Sequence, residues 1–218
     1  QRLVLFPWER DYGEDLLNGN YDPADYTTDR VYMGPVKLVA DGSIQGYTGY
    51  LSEPYFKPYH GDKDYRGYPS IDRDELFEQV AALHKAGYQL AIHGNGDASI
   101  EDILDAFEAA QASHPREDPR MILIHGQMAR EDQIARMAAL GVTPSFFTAH
   151  TWYWGDRHRD IFIGPQRAEN ISPSRWAQKY GVRFSSHLDT PVTPMQPLQA
   201  VWSLVYRQTV GGHVLGPD

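Results

Sequence analysis

Apolar residues along this chain fall into two kinds of segment that alternate. Short runs rich in Val, Ile, Leu and Phe are separated by longer stretches in which apolar residues recur every three or four positions. The short runs are typical of buried strands, and the longer stretches have the period of amphipathic helices. We predict strands at Leu3–Phe6, Val36–Ala40, Leu90–His93, Ile122–His125, Val142–Phe147 and Phe184–Ser186. We predict helices at Ile71–Ala86, Ala98–Ala112, Arg130–Leu140, Pro173–Tyr180 and Leu198–Arg207.

The alternation of strands and helices predicts an α/β fold with a parallel sheet or a barrel. Right-handed βαβ units place consecutive strands side by side, so we expect the strand order to follow the chain. Three segments lack a clear period and are predicted to be loops: Pro7–Tyr32, Gln45–Ser70 and His150–Gln166. The last two are rich in Tyr and Trp, which suits a lid or a wall of a substrate pocket.

Composition limits the possible functions. Of 218 residues, 41% are hydrophobic and 22% are charged, which is ordinary for a globular domain. The formal net charge of -9 argues against nucleic acid or an anionic membrane as a partner. The chain has no cysteine, so a metal would have to be bound by histidine, carboxylate or a modified lysine. No apolar run approaches the about 20 residues of a membrane span, and without a signal-peptide pattern we expect a cytoplasmic protein.

Side chains that can bind a metal stand at the ends of four predicted strands. Lys37 lies within the second strand, His93 and His125 end the third and fourth, and Asp189 follows the sixth. The carboxyl ends of strands in a βα barrel meet at one mouth. We therefore predict a metal-centred hydrolase site whose ligands are Lys37, His93, His125 and Asp189.

Each of these residues also has a simpler interpretation. Lys37 could extend to the surface or pair with Asp41, and a single histidine at a strand end is commonly a hydrogen-bonded structural residue. Asp189 could form a turn before Thr190-Pro191. A buried lysine, however, has a lowered pKa, and its neutral amine can add carbon dioxide to become a carbamate that bridges two metal ions.

Four further residues are candidates for binding substrate, namely His150, Trp154, Arg157 and His187. The first three come from an aromatic segment that could equally be a long loop packed by its own side chains. His187 follows the last predicted strand, and alternation leaves open whether it lines the pocket. We expect the other histidines to be structural or at the surface: His60, His84, His114, His158 and His213.

Several stretches resemble the amidohydrolase superfamily, specifically the amidohydrolase-3 group that includes enzymes like N-substituted formamide deformylase. The matching motifs lie at Val36–Ser43, Ile92–Asp97, Leu123–Gln127 and Ser186–Val192. A further stretch, Tyr153–His158, is similar to a feature of a subgroup. The resemblance runs over nearly the whole chain, and the motifs are specific as a set.

The resemblance implies a (β/α)8 TIM barrel, of which this chain would hold strands three to eight. The family also uses a His-x-His pair on its first strand, and the sequence has no such pair. We therefore expect residues 1–218 to form an incomplete TIM-barrel catalytic domain, an internal fragment without the small β-sandwich that the family builds from both termini. Open sheet edges should favour self-association, and we expect the fragment alone to be inactive.

The resemblance also implies the chemistry. A divalent metal, expected to be zinc, would be held by Lys37 as a carbamate and by His93, His125 and Asp189, and a metal-bound hydroxide would attack the substrate. Asp189 would also carry the proton to the leaving nitrogen. The implied substrates are small molecules with a non-peptide C–N bond: amides, formamides, ureas or cyclic amides. Two alternatives stay open: ester or phosphoester hydrolysis at the same site, and a catalytically inactive structural barrel fragment.

Overall fold

A parallel sheet lies at the centre of the molecule, in a computed structural model that describes residues 2–216. The strands in this part of the chain are β1 at Leu3–Leu5, β2 at Val31–Met33, β3 at Val36–Val39, β4 at Leu90–Gly94, β5 at Ile122–His125, β6 at Thr143–Phe146 and β7 at Ser185–Ser186. Strands β3 to β7 form one sheet in that order, and every neighbouring pair is parallel. The prediction of an α/β fold whose strand order follows the chain is confirmed for these strands.

Helices connect the strands of the sheet. They are α1 at Glu9–Asn18, α2 at Arg73–Lys85, α3 at Asp97–Ser113, α4 at Glu131–Leu140, α5 at Ala149–Arg157, α6 at Gly164–Ala168, α7 at Ser174–Lys179 and α8 at Pro197–Tyr206. The predicted helices correspond to α2, α3, α4, α7 and α8, with each end within two residues. Among residues 2–216, no helix is both long and apolar enough to cross a lipid bilayer.

The two faces of the central sheet have different surroundings. Successive residues of a strand point to opposite faces, so alternate residues share one side. One set packs against α2, α3 and α4 in the main core, and we call it the helix face: Val36, Leu38, Leu90, Ile92, Leu123 and Phe146. The other set is only partly buried apart from the small Ala91, and we call it the open face: Lys37, Val39, Ala91, His93, Ile122, Ile124, Thr143 and Ser145.

The first predicted strand, Leu3–Phe6, does not join the central sheet. Leu3–Leu5 pairs in parallel with Val31–Met33 in a separate two-stranded sheet, and its side chains are exposed. After β1, the chain pairs with the central sheet at an isolated bridge between Trp8 and Lys37. There the N–H of Lys37 donates a hydrogen bond to the carbonyl of Pro7. Proline has no N–H with which to extend a ladder. The prediction that this segment is a buried strand was therefore wrong.

Two segments predicted to be loops contain regular structure. Pro7–Tyr32 holds α1, whose first turn carries Glu9 and Asp11 and which ends at the left-handed Gly19. Acidic residues stabilise the start of a helix, a signal that does not depend on the apolar period which this segment lacks. His150–Gln166 holds most of α5, a π-helical turn at His158–Phe162 and α6. Aromatic residues lower helix propensity only a little, so burial of one side of α5 outweighs their preference.

The third predicted loop, Gln45–Ser70, is irregular apart from a short 3-10 turn at Ile44–Gly46. It is nevertheless well packed, because Leu51 and Tyr55 are buried in a second apolar cluster that includes Phe162. The hydroxyl of Tyr55 donates a hydrogen bond to a backbone carbonyl within the same segment. The segment is therefore an ordered cover rather than a loose connection.

Candidate metal centre

Three histidines and an aspartate meet at the carboxyl end of the sheet. The ring centroids of His93 and His125 are 4.4 Å apart, and Nδ1 of His125 is 3.0 Å from Nε2 of His187. One ligand atom from each of His125, His187 and Asp189 lies within 4.8 Å of the others. The ends of β4, β5 and β7 thus bring these side chains together, and His187 stands inside the group.

A left-handed backbone turns His125 towards this group. Strict alternation would put His125 on the helix face with Leu123, because Ile124 lies on the open face. His125 has a φ of 73°, and its ring contacts His93 instead. Asp189 also has a positive φ, of 54°. Such backbone is uncommon outside glycine, although histidine and aspartate adopt it more readily than most residues, and it is concentrated at functional sites.

Lys37 contributes a buried amine with no partner. Its Nζ is shielded from solvent and makes no hydrogen bond within residues 2–216. Burial lowers the pKa of Lys37 to about 8, and the nearby carboxylate of Asp189 opposes that shift. The side chain therefore neither extends to the surface nor pairs with Asp41, the two simpler interpretations of the sequence. An unpartnered polar group of this kind is costly to bury.

The carboxylate of Asp41 organises the rim of the sheet beside His93. Three backbone N–H groups donate hydrogen bonds to it, those of Tyr50, Asn95 and Gly96. The adjacent carbonyl of Gly42 accepts a hydrogen bond from Nε2 of His93 at 3.0 Å. A histidine that donates through Nε2 keeps the lone pair of Nδ1 for a metal ion. We missed this role in the sequence, where the position of Asp41 directly after a strand was the available signal.

Burial keeps His125 and His187 neutral. It lowers the pKa of His187 to about 4, where Asp189 opposes the shift and the charges of Lys37 and His93 add to it. Burial also lowers the pKa of His125 well below its usual range, and the neighbouring histidines add to that shift. A metal ion binds the neutral imidazole. Neither ring therefore has to lose a proton at neutral pH before it can bind one.

The predicted substrate-binding residues of the aromatic segment lie in two places. The ring of His150 is buried, 6.4 Å from the ring of His125 and 5.5 Å from that of Trp154. Its Nδ1 has no hydrogen-bond partner within the described part of the chain. Arg157 instead lies over the ring of Phe162 at 5.5 Å, in the second apolar cluster. Helix α5 therefore presents His150 and Trp154, but not Arg157, to the histidine group.

The donor set of this group fits a divalent cation of the zinc type. Neutral imidazoles and a carboxylate are ligands that zinc and similar ions prefer, whereas magnesium and calcium prefer oxygen ligands. The buried and unpartnered Nζ of Lys37 belongs to the same face of the sheet as His93, because Lys37 pairs with Ala91 in the register of β3 and β4 and alternate residues share a face. Such an amine is suited to become a ligand once it is neutral or modified.

Comparison with known proteins identifies the family. A family model described as the amidohydrolase family matches residues 14–218. This chain belongs to the amidohydrolase family. The resemblance found in the motifs of the sequence is thereby confirmed.

Curated relatives of this amidohydrolase are longer proteins. N-substituted formamide deformylase of Arthrobacter pascens is 29% identical over 194 residues, which cover 88% of this chain and 36% of that protein. The putative amidohydrolase YtcJ of Bacillus subtilis is 28% identical over 183 residues, which cover 82% of this chain and 32% of that protein. The chain thus spans about a third of the length of these relatives.

Solved structures share the fold. An uncharacterized metal-dependent hydrolase from Pyrococcus furiosus matches 100% of this chain with a TM-score of 0.79 and 23% identity, over 42% of its own chain. Another from Pyrococcus horikoshii matches 94% of this chain with a TM-score of 0.74 and 24% identity, over 39% of its own chain. At such identities the likeness establishes the α/β fold with a parallel sheet and nothing finer.

Proposed function

We propose that this amidohydrolase is the metal-binding part of a hydrolase that cleaves non-peptide C–N bonds in amides, formamides, ureas or cyclic amides. The observation that carries the proposal is the buried, unpartnered amine of Lys37 at the same end of the sheet as His93, His125 and Asp189. The name of one relative, an N-substituted formamide deformylase, supports the substrate class. We further propose that residues 1–218 form an incomplete (β/α)8 barrel, with the open face of the sheet as its interior.

In this proposal Lys37, His93, His125 and Asp189 hold one or two divalent ions, with zinc as the proposed metal. A bound ion of this kind would lower the pKa of a water molecule towards neutrality and would polarise a carbonyl oxygen. The neutral amine of Lys37 adds carbon dioxide and loses a proton, which gives a carbamate with two ligand oxygens. A carboxylate oxygen of Asp189 accepts the proton of the attacking water and then delivers it to the leaving nitrogen.

His150 and Trp154 form one wall of the proposed pocket for a small-molecule substrate. The unpartnered Nδ1 of His150 can make a hydrogen bond to a polar group of that substrate, and the indole ring supplies apolar surface. Arg157, which lies over Phe162, stays a candidate for binding a part of the substrate remote from the metal. The contacts of His187 favour a different role from the one predicted.

Metal binding provides the primary test of this proposal. The chain is stripped with EDTA and dialysed against micromolar zinc, and bound zinc is measured by mass spectrometry. We expect one or two ions per chain, and loss of zinc in His93→Ala and Lys37→Met. The control is His114→Ala, which removes an exposed histidine directly after the end of α3. A wild-type chain that retains no zinc would overturn the proposal.

Turnover then separates the substrate classes. We propose that the chain alone is nearly inactive because it lacks a His-x-His pair, so the assay uses a protein extended to the length of the curated relatives. Hydrolysis of an N-substituted formamide, a urea or a cyclic amide, abolished by chelation, is the expected result. Hydrolysis of esters or phosphoesters alone would replace the C–N proposal. Bound zinc without turnover of any of these would indicate a structural role.

We also propose that the chain self-associates. Helix α8 exposes Leu198, Val201 and Val205, with 83%, 54% and 66% of each residue accessible, and β1 exposes its apolar side chains as well. Contiguous exposed apolar surface favours association. Light scattering should show a mass above 24.8 kDa, and a monomer at all concentrations would contradict this.

A further inference from the structure

A pair of facing histidine nitrogens stands at the centre of the group described above. Nε2 of His187 and Nδ1 of His125 are 3.0 Å apart, and a ligand oxygen of Asp189 lies within 4.8 Å of both. We propose that His187 is itself a metal ligand, which completes a three-residue site with His125 and Asp189. This inference rests on the proposed function and changes the predicted role of His187 from substrate binding to metal binding.

The spacing of the two nitrogens suits a shared ion. Zinc binds histidine nitrogen at about 2.0–2.1 Å, so two such ligands of one ion are roughly 3.3–3.4 Å apart at the tetrahedral angle. The observed 3.0 Å is slightly shorter, so the two rings need to separate only a little to bind one ion. A direct hydrogen bond between the rings would have the same length. The hydrogen bond of the other nitrogen of His187 determines whether Nε2 has a lone pair that a metal ion can use.

Ser145 occupies that other nitrogen. Its Oγ is 3.0 Å from Nδ1 of His187, and the hydroxyl of Ser185 donates a hydrogen bond to the same Oγ at 2.9 Å. Ser145 and Ser185 are partners in the register of β6 and β7, and His187 follows two residues later on the same side. An oxygen held in this way can accept the N–H of Nδ1, which leaves the lone pair of Nε2 directed at His125. Partners of this kind orient metal-binding histidines in many sites.

The backbone around the group is built at some cost. His125 and Asp189, the two other members, both have left-handed backbone, and such conformations persist only where the surrounding structure holds them. This backbone brings three ligand atoms, one from β5 and two from the residues that follow β7, within 4.8 Å of one another. Two nitrogens and one oxygen form an incomplete shell, typical of an ion that keeps an open position for water or substrate. The same set favours zinc and cobalt over magnesium.

The experiment compares zinc affinities of the EDTA-stripped chain by competition with a chromophoric chelator. We expect His187→Ala to weaken zinc binding by more than 100-fold, and Ser145→Ala to weaken it by about 10–100-fold, as outer partners do. His114→Ala is the matched control and should bind like the wild type. A His187→Ala chain within threefold of the wild type, when His125→Ala has lost binding, would overturn the inference.

A second measurement needs no substitution and therefore does not depend on how a variant folds. Histidine ring ¹⁵N spectra of the wild type are recorded with and without one equivalent of zinc. We expect Nε2 of His187 to take the shift of a metal-bound nitrogen while Nδ1 stays protonated. An unchanged His187 ring in a chain that has bound zinc would reject its role alone. Failure of the wild type to bind zinc would reject both this inference and the proposed function.

Discussion

The helix face and the open face of the central sheet are made from alternate residues of the same strands, yet they differ in burial and chemistry. On the helix face, Leu38, Ile92 and Leu123 are at most 2% exposed, and fully burying such a side chain contributes about 1.5–3 kcal/mol. On the open face, Lys37 and His93 are only partly buried and are the proposed metal ligands. Residues that stabilise the fold and residues proposed to react are therefore direct neighbours along each strand.

Lowering the pH should change the free energy of unfolding more than any single substitution, because it acts on several buried histidines at once. Burial lowers the pKa of His158 to about 3 and that of His187 to about 4, whereas histidine in an unfolded chain titrates near about 6.5. Below that pH the unfolded chain binds protons that the folded chain does not. The stability these groups contribute is complete above pH about 6.5 and is lost as the pH falls towards 4.

Urea unfolding followed at pH 7 and pH 5 measures this loss. Each pH unit should cost up to about 1.4 kcal/mol for every histidine that stays neutral. His158→Gln should make the pH dependence shallower, whereas His114→Ala, at an exposed position, should not. Equal stability at the two pH values would show that the rings are not held neutral.

Substitution of neighbouring residues in β5 tests the two faces directly. Leu123 is 0% exposed on the helix face, and Ile124 is partly buried on the open face. Leu123→Ala should lower the free energy of unfolding by about 2–5 kcal/mol, and Ile124→Ala by roughly 1 kcal/mol, since less apolar surface returns to water. Chemical denaturation of both variants at neutral pH gives the two values. Similar losses would contradict the assignment of faces.

Substitution of Asp41, at the rim of the sheet beside His93, is expected to lower the free energy of unfolding less than Leu123→Ala does. Asp41→Asn keeps the size of the side chain but removes one acceptor oxygen from a carboxylate that receives three backbone N–H bonds. We expect a loss of about 1–3 kcal/mol for a buried donor left without a partner. Thermal unfolding measures the loss, with Asp118→Asn at an exposed position as the matched control. If both variants melt alike, the rim does not depend on Asp41.

Lys37→Met should have the smallest effect on stability and the opposite sign. The substitution replaces an unpartnered buried amine with an apolar side chain of similar length, so the metal-free chain should be unchanged or more stable by up to about 1 kcal/mol. Denaturation in the presence of EDTA measures this change in stability without any contribution from metal binding. A clear loss of stability would mean that the amine has a partner in the folded protein.

The helix face could be predicted well from the sequence, because its signal is local. Apolar periodicity identified α2, α3 and α4 and the strands β3 to β6, and the motifs placed Lys37, His93, His125 and Asp189 at strand ends. The segments that form α1 and α5 were predicted to be loops, because one is acidic, the other is aromatic, and neither has a clear apolar period. The exposure of β1 could not be predicted from the local pattern, because it depends on pairing with another short strand instead of with the central sheet.

The arrangement at the carboxyl end was harder to predict because it depends on backbone that breaks the strand pattern. Alternation alone points His125 at the helix face, and only a positive φ brings it to His93. The position of His187 was left open for the same reason. Its place became clear from a contact between strands, the hydroxyl of Ser145 at its Nδ1, which no spacing along the chain reveals.

The strict interleaving of the two faces also bears on how such a protein can change over generations. Replacing an open-face residue other than the proposed metal ligands Lys37 and His93 alters the chemistry and leaves the core intact, so the remaining positions are free to explore new substrates. Deleting one residue inside β4 would exchange the two faces beyond that point, because a one-residue slip moves every side chain to the other side. Ile92 would then enter the site and His93 the core. Inheritable variation in strand interiors should therefore be confined to replacements, with insertions and deletions found in the connecting loops.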